Sequence, residues 1–167
     1  MKKLITVVLL VAGLTNVISA VAGPRPDVAQ IVTKSDAVDI LGEAVKNPSP
    51  RSGEGADGYY SKCNYYSMRR GKSLVIRLQM PGPNAIAPEK ELQLVAAANG
   101  TMENVSGIGD AAQMFTAGGE SGNASRVLML YVVKGNAFLT IGVSGFANDA
   151  VALEKAKFVA QKLVERL

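Results

Sequence analysis

The amino-acid sequence predicts an α+β fold, with an antiparallel sheet of about five strands and helices packed mainly on one face. Two pairs of β-rich segments are each joined by a turn too short for a parallel connection, so their strands must pair antiparallel. Segments with helical periodicity precede, separate and follow these hairpins. The order α, β-β, α, β-β-β, α buries its apolar stripes most simply when helices cover a sheet.

The N-terminal segment has the pattern of a cleavable export signal. Lys2 and Lys3 precede an apolar run over residues 4–11, and Ala20-Val21-Ala22 supplies the small residues that signal peptidase requires. The run is much shorter than the about 20 apolar residues of a membrane-spanning helix. We therefore expect cleavage of residues 1–22, no transmembrane segment in the mature chain, and a periplasmic or secreted protein.

Removal of the signal from the 167-residue chain leaves 145 residues, the size of one ordinary domain. Pro24 and Pro26 predict an extended lead-in over residues 23–32, followed by a single α+β domain over residues 33–167. The signal carries two of the 18 basic residues, so the mature net charge falls from +4 to +2. Because the longest basic run is Arg69-Arg70, we expect no nucleic-acid partner.

The sole cysteine excludes an internal disulfide. Cys63 lies in a predicted strand among tyrosines, which favours a buried small apolar residue. A redox or intermolecular role is the alternative, although a reactive thiolate needs a cationic, accessible setting.

The first predicted helix begins at a capping box over residues 33–36 with Asp36 in the place of the usual Glu. Gly42 either ends this helix at Leu41 or lies inside it. Residues 47–58 contain several prolines and glycines, which is typical of a loop.

Two hairpins supply four strands of the predicted sheet. In the first, residues 59–68 and 73–80 flank a turn, and the second of these segments alternates apolar and polar side chains as a half-buried strand does. In the second, residues 126–133 and 137–144 flank Lys134-Gly135-Asn136.

The remaining elements complete the order. Pro88 begins a helix that Asn99-Gly100 ends, and residues 105–111 form a turn into a short strand over residues 112–116. Residues 117–125 are a predicted loop. A closing helix capped by Asn148 or Asp149 has a core stripe of small and aliphatic residues, namely Leu153, Ala156, Ala160, Leu163, Val164 and Leu167.

No familiar catalytic or cofactor motif is found. The absence of histidine excludes Ser-His-Asp and Cys-His nucleophiles and the histidine-based zinc sites. Residues 107–112 match a dinucleotide fingerprint with alanine in the last place, but short β-like residues follow where that loop needs a helix. We predict no enzyme activity, no metal and no cofactor. A histidine-independent enzyme that uses carboxylates or Tyr, Lys and Arg side chains is the alternative.

Four of the five tyrosines lie within eight residues and mark one candidate binding surface. Strand alternation directs Tyr59 and Tyr65 to one face and Tyr60 and Tyr66 to the other. One pair then joins the core, while the other meets solvent beside Met68, Arg69 and Arg70. The outer face suits recognition of a partner, and simple cross-strand aromatic packing is the alternative.

A second candidate lies on the closing helix, where Val151 and Phe158 are opposite the core stripe and Lys155 and Lys162 flank the phenylalanine. An exposed Phe158 between lysines suits a peripheral membrane contact or a protein partner. A singly exposed apolar residue without a role is the alternative.

Several short segments resemble a known group of proteins. They are Ser35-Asp36-Ala37 with Leu41-Gly42, the Cys63-x-Tyr65 strand, residues 105–112 and the hairpin over residues 133–136. Together they resemble small exported bacterial proteins of unknown function that are related to the exported domains with a PsbP-like fold. The resemblance spans about residues 33–167 and implies helices against an antiparallel sheet. It also implies binding roles at the cell envelope, with lipid handling in some members. Many such relatives are lipoproteins, and this chain lacks their acylated cysteine.

These observations favour an exported, non-enzymatic binding or accessory protein of the cell envelope, whose ligand is a protein or an apolar molecule lodged between helix and sheet. A structural envelope protein or oligomer subunit is a further alternative. The oligomeric state is not encoded in any pattern recognised in the sequence.

Overall fold

An antiparallel sheet organises the chain. The computed structural model describes residues 25–69, 71–118 and 126–167, in which four helices pack against seven strands. The predicted export signal, Arg70 and most of the predicted loop over 117–125 lie outside the described residues. The helices are α1 (Val28–Ile31), α2 (Lys34–Leu41), α3 (Pro88–Asn99) and α4 (Asp149–Val164). The strands are β1 (Arg51–Gly55), β2 (Gly58–Tyr66), β3 (Ser73–Pro81), β4 (Glu103–Asn104), β5 (Ala111–Ala117), β6 (Val127–Lys134) and β7 (Ala137–Ser144).

The strand order is β1-β2-β3-β7-β6-β5-β4, and every neighbouring pair is antiparallel. The α+β class is therefore confirmed, with seven strands in the described residues instead of about five. The two additional strands, β1 and β4, form the sheet edges. Their residues are polar, small or exposed, so they lack the apolar alternation by which a strand is recognised, and the predicted loop over residues 47–58 is wrong for β1.

The main core lies between one sheet face and helices α1, α2 and α4. Strands β2, β3, β6 and β7 each send alternate side chains into it. The buried residues of α4 are Ala152, Ala156, Val159, Ala160 and Leu163. The predicted stripe on this helix was thus wrong about Leu167, which is 39% exposed, and it missed Ala152 and Val159.

The lead-in is not extended throughout, because Val28–Ile31 form one helical turn. Asp27 caps this turn by accepting a hydrogen bond from the Ala29 amide at 3.0 Å. The Val28 amide donates to the buried Ser61 hydroxyl at 3.0 Å, and the Tyr59 hydroxyl donates to the Pro26 carbonyl at 3.0 Å. Contacts with β2, which is remote in sequence, thus stabilise this helical turn. The two preceding prolines had led us to predict an extended segment instead.

Helix α2 has the predicted capping box, in which the Thr33 hydroxyl accepts from the Asp36 amide and the Asp36 carboxylate accepts from the Thr33 amide. The helix ends at Leu41 because Gly42 adopts a left-handed conformation with φ of 70°. The structure therefore resolves the two alternatives left open for this glycine.

Helix α3 packs on the face of the sheet opposite to the other helices. Leu92 and Val95 contact Val133, Phe138 and Tyr131, forming a second, smaller core. These contacts lie near one end of the strands. No described helix covers the rest of this face. A groove lies at the start of α3.

Candidate functional site

The groove lies between the N-terminal end of α3 and the sheet, and it encloses about 480 Å³. Three parts of the chain form its walls. They are the turn between β1 and β2, the segment that leads from β3 into α3, and the first turn of α3 itself. Helix α3 and the sheet partly enclose this space.

One cross-strand row supplies the base of the groove. Tyr60 is paired with Gln79, and Gln79 is paired with Phe138, on three adjacent strands. The three side chains therefore point to the same face, and all three line the groove. Phe138 is 4% exposed, whereas Tyr60 is 40% exposed. The base of the groove is therefore buried at Phe138, beneath α3, and accessible at the Tyr60 ring on β2.

Backbone contacts fix the rim. The Gly82 amide donates to the Asp57 carbonyl at 2.9 Å, which ties the β1–β2 turn to the end of β3. Gly58 has φ of 116°, and a Cβ there would lie 2.4 Å from the Met80 carbonyl oxygen, so no side chain is accommodated at this crossing. Asn136 donates its amide hydrogen to the Pro81 carbonyl at 3.0 Å and attaches the β6–β7 turn to the same edge.

The lining combines apolar side chains with neutral polar groups and two acidic ones. Ile86 is 52% exposed and lines the groove with the Tyr60 and Phe138 rings. Two carboxyl side chains, those of Asp57 and Glu91, line the groove, and no lysine or arginine is among its lining residues. The charged side chains of the lining are thus acidic, whereas Gln79 and Asn84 can both donate and accept hydrogen bonds.

The tyrosines of β2 alternate as predicted. Tyr59 and Tyr65 are 7% and 1% exposed, whereas Tyr60 and Tyr66 are 40% and 49% exposed. The Tyr65 hydroxyl donates to the Val32 carbonyl at the end of α1. Burial raises the pKa of this phenol above its ordinary value of 10.0, so Tyr65 is a structural residue of the core.

The two exposed tyrosines do not form one site. Six residues separate Tyr60 from Tyr66, which along a strand is about 20 Å. Of these two exposed tyrosines, only Tyr60 lines the groove. Tyr66 lies at the far end of β2, where Asn64 donates to its hydroxyl at 3.2 Å, and the exposed Met68 and Arg69 follow it. Arg70 lies outside the described residues.

Phe158 lies on the other side of the sheet from Tyr60. It is 50% exposed on α4 and, with Ile40 and Val151, lines a shallow hollow of about 490 Å³ between α2 and α4. The predicted exposure of Phe158 and Val151 is confirmed. The structure therefore separates the predicted binding residues into the groove, the far end of β2 and the hollow at α4.

Cys63 is on the core face of β2 and is 1% exposed. Burial raises the pKa of its thiol, which keeps the sulfur protonated and poorly nucleophilic. Its setting is that of the buried apolar residue expected from the sequence.

The glycine-rich segment over residues 107–112 is a turn that leads into strand β5. A Cβ at Gly109 would lie 2.4 Å from the Val133 carbonyl oxygen, so the glycine permits a close approach to β6. The next residue, Asp110, accepts hydrogen bonds from the Gly135 amide at 2.7 Å and from Lys134 Nζ at 2.9 Å. This segment clamps the β6–β7 hairpin, which accounts for its composition without a nucleotide.

Two features are absent from the part of the chain that the structure describes. No three or more Asp, Glu or Cys side chains there come close enough together to hold a metal ion. None of the described helices combines the length and apolar character needed to cross a membrane. The predicted absence of a cofactor and of enzyme activity remains a prediction.

Sequence reasoning identified Tyr60 but missed Ile86, Gln79, Glu91 and Phe138 as its neighbours. Phe138 was assigned only to a strand, and Glu91 only to a helix N-terminus. The available signal was Pro81-Gly82-Pro83, which indicates a sharp exit from β3. It does not show on which face of the sheet the following helix lies, and that choice creates the groove.

No family model, curated protein or solved structure matched the chain. The PsbP-like resemblance therefore stays a prediction that rests on the segments quoted above.

Proposed function

We propose that this protein is an exported, non-enzymatic binding protein whose ligand is an apolar molecule held between helix α3 and the sheet. The single observation that carries the proposal is the groove itself. It combines a partly enclosed volume with an accessible ring at Tyr60 and an apolar wall at Ile86. Export is part of the proposal and rests on the N-terminal sequence pattern.

The size of the groove supports a small-molecule ligand. Pockets for such ligands measure about 300 to 1,000 Å³ and are lined mostly by apolar and aromatic side chains with a few polar groups. The groove meets both conditions. Its acidic residues, Asp57 and Glu91, favour a ligand that donates hydrogen bonds over a fatty-acid carboxylate.

Titration of the mature protein, residues 23–167, with the fluorescent apolar amine N-phenyl-1-naphthylamine tests the proposal. We expect saturable binding that Tyr60→Ala and Ile86→Ser each weaken by about tenfold, because each removes an apolar contact worth about 1 to 2 kcal/mol. Both residues are exposed, so their replacement leaves the core intact.

Two matched variants act as controls. Tyr66→Ala removes the same side chain from the same face of the same strand, but outside the groove. Phe158→Ala removes the exposed aromatic ring of the hollow at α4. Both should leave the affinity unchanged. An effect of Phe158→Ala without an effect of Tyr60→Ala would move the site to the hollow and contradict the proposal.

A further inference from the structure

The part of the sheet face that α3 leaves uncovered has a distinctive charge pattern. Arg51 is directly opposite Lys62 on the neighbouring strand, and Lys62 is directly opposite Arg77 on the next. All three side chains therefore lie side by side on one face, with strands about 5 Å apart. We name Arg51, Lys62 and Arg77 the cation row.

This arrangement costs stability, since like charges directly opposite each other in a sheet repel. None of the three takes part in an ion pair among the residues described. The strand positions that share this face carry no acidic side chain in the described sheet. Compensation for the cation row must then come from another molecule or from ions in solvent.

An apolar floor adjoins the cation row. The next row across the sheet contains Val75, Met129 and Phe115, each only partly buried. Gly142 lies between Val75 and Met129. The Met129 side chain fills the space above this glycine, since a Cβ there would lie 2.9 Å from Met129 Sδ.

The floor leaves room for one more helix. Neighbouring rows on one face are about 7 Å apart, so the floor lies about 14 Å from the row of Val133 and Phe138 that α3 covers. Packed helices lie about 8 to 10 Å apart. The floor is therefore far enough from that row to leave room for a second helix. On β3, Val75 of the floor and Arg77 of the cation row are successive residues on the same face.

We propose that this uncovered half-face docks an amphipathic helix of a partner protein, with its apolar stripe on Val75, Met129 and Phe115 and with Asp or Glu side chains along the edge that meets Arg51, Lys62 and Arg77. Charge complementarity selects the acidic edge, and the floor selects the apolar stripe. The surface shares no residue with the groove, so this inference stands independently of the proposed ligand.

Two other occupants fit less well. A flat bilayer would meet α3 first, because a helix on the same face rises about 10 Å above the floor. A second copy docked face to face would bring no acidic side chain from its described strands to the cation row, since those strands carry none on this face. An elongated acidic segment avoids both problems.

The test uses a fluorescein-labelled peptide designed as a helix with a leucine stripe flanked by glutamates, titrated into the mature protein and followed by anisotropy. We expect saturable binding that weakens as salt increases. The double variant Lys62→Gln, Arg77→Gln should weaken it by at least about tenfold. Lys155→Gln with Lys157→Gln on α4 removes the same net charge elsewhere and should change the affinity less than about twofold.

A second peptide and a vesicle arm decide between occupants. The same peptide with glutamine in place of glutamate, and a polyglutamate without leucine, should each bind much more weakly than the designed peptide. The proposal is overturned by absent saturation, by equal losses in the two double variants, or by polyglutamate binding as tightly as the designed peptide. It is also overturned if phosphatidylglycerol vesicles, but not the peptide, bind in a manner that depends on Lys62 and Arg77. Folding of the variants is checked by thermal unfolding. We expect no loss of stability in Lys62→Gln, Arg77→Gln, because these two substitutions relieve repulsion between like charges.

Discussion

Lys162 Nζ lies 2.7 Å from Asp36 Oδ1, although 126 residues separate them in the chain. The contact joins the last turn of α4 to the capping box of α2, and both side chains are partly buried. The same carboxylate accepts the hydrogen bond of the Thr33 amide at 2.8 Å. One acidic side chain thus begins a helix and fixes that helix to its neighbour above the core.

This ion pair predicts a pH-dependent contribution to folding. The hydrogen bond from Lys162 is the largest of the effects that hold the pKa of Asp36 below its ordinary value of 3.8. Because the folded-state pKa is depressed, the stabilisation is present above about pH 4 and is lost as the pH falls through the folded-state pKa.

Lys162→Met should therefore lower the free energy of unfolding by about 0.5 to 1 kcal/mol at neutral pH. The difference from the wild type should vanish in strong acid. Urea unfolding between pH 7 and pH 2 measures it. Lys155→Met, on the same helix, is the control, and an equal loss in both variants would show that the ion pair is not responsible.

The glycine-rich turn predicts a contrast between two substitutions. Gly107 and Gly109 both have positive φ, at 80° and 60°. No atom lies within 4 Å of a Cβ at Gly107, whereas one at Gly109 would meet the Val133 carbonyl at 2.4 Å. We expect Gly107→Ala to cost about 1 kcal/mol and Gly109→Ala about 3 kcal/mol or more. Similar losses in denaturant unfolding would contradict the close approach.

The clamp on the β6–β7 hairpin predicts a titration that NMR detects. The hydrogen bond from the Gly135 amide, followed by that from Lys134, holds the pKa of Asp110 below its ordinary value of 3.8. The chemical shift of the Gly135 amide should therefore titrate with a midpoint below pH 3.8. Lys134→Ala should raise that midpoint. A midpoint at or above 3.8 in the wild type would mean that the clamp does not form.

Burial of Cys63 predicts a thiol that reacts only on unfolding. Because the pKa of the thiol is raised and the sulfur is inaccessible, reaction with Ellman's reagent should be at least about 100-fold slower in native buffer than in guanidinium. Rapid reaction of the native protein at neutral pH would instead support the redox or intermolecular alternative.

The fold could be predicted where side-chain patterns are strong. The alternation over β3 and the capping box at Thr33 each specify an element from a few neighbouring residues, and both are present in the structure. The edge strand β1 escaped prediction because its pairing with β2 supplies backbone hydrogen bonds that leave no pattern in exposed side chains. Helix α1 escaped for a related reason, since Ser61 and Tyr59 on a distant strand hold it.

The candidate site was less predictable than the fold. Alternation along β2 correctly directed Tyr60 outward, but it also directed Tyr66 outward and so marked both as candidate binding residues. What distinguishes the two is helix α3, which covers only one end of that sheet face. The cation row has the same origin, because Arg51, Lys62 and Arg77 become neighbours only through strand register. The spacing of residues in the sequence shows neither which end of the sheet face α3 covers nor which residues the strand register makes neighbours.

The most direct test of the proposed function is native mass spectrometry of the mature protein, purified gently from its own source and compared with the denatured sample. We predict a mass excess of small-molecule size that disappears on denaturation, persists in Tyr66→Ala and is reduced in Tyr60→Ala. A bare chain mass in the wild type, or an excess retained equally by both variants, would contradict a ligand in the groove beneath α3.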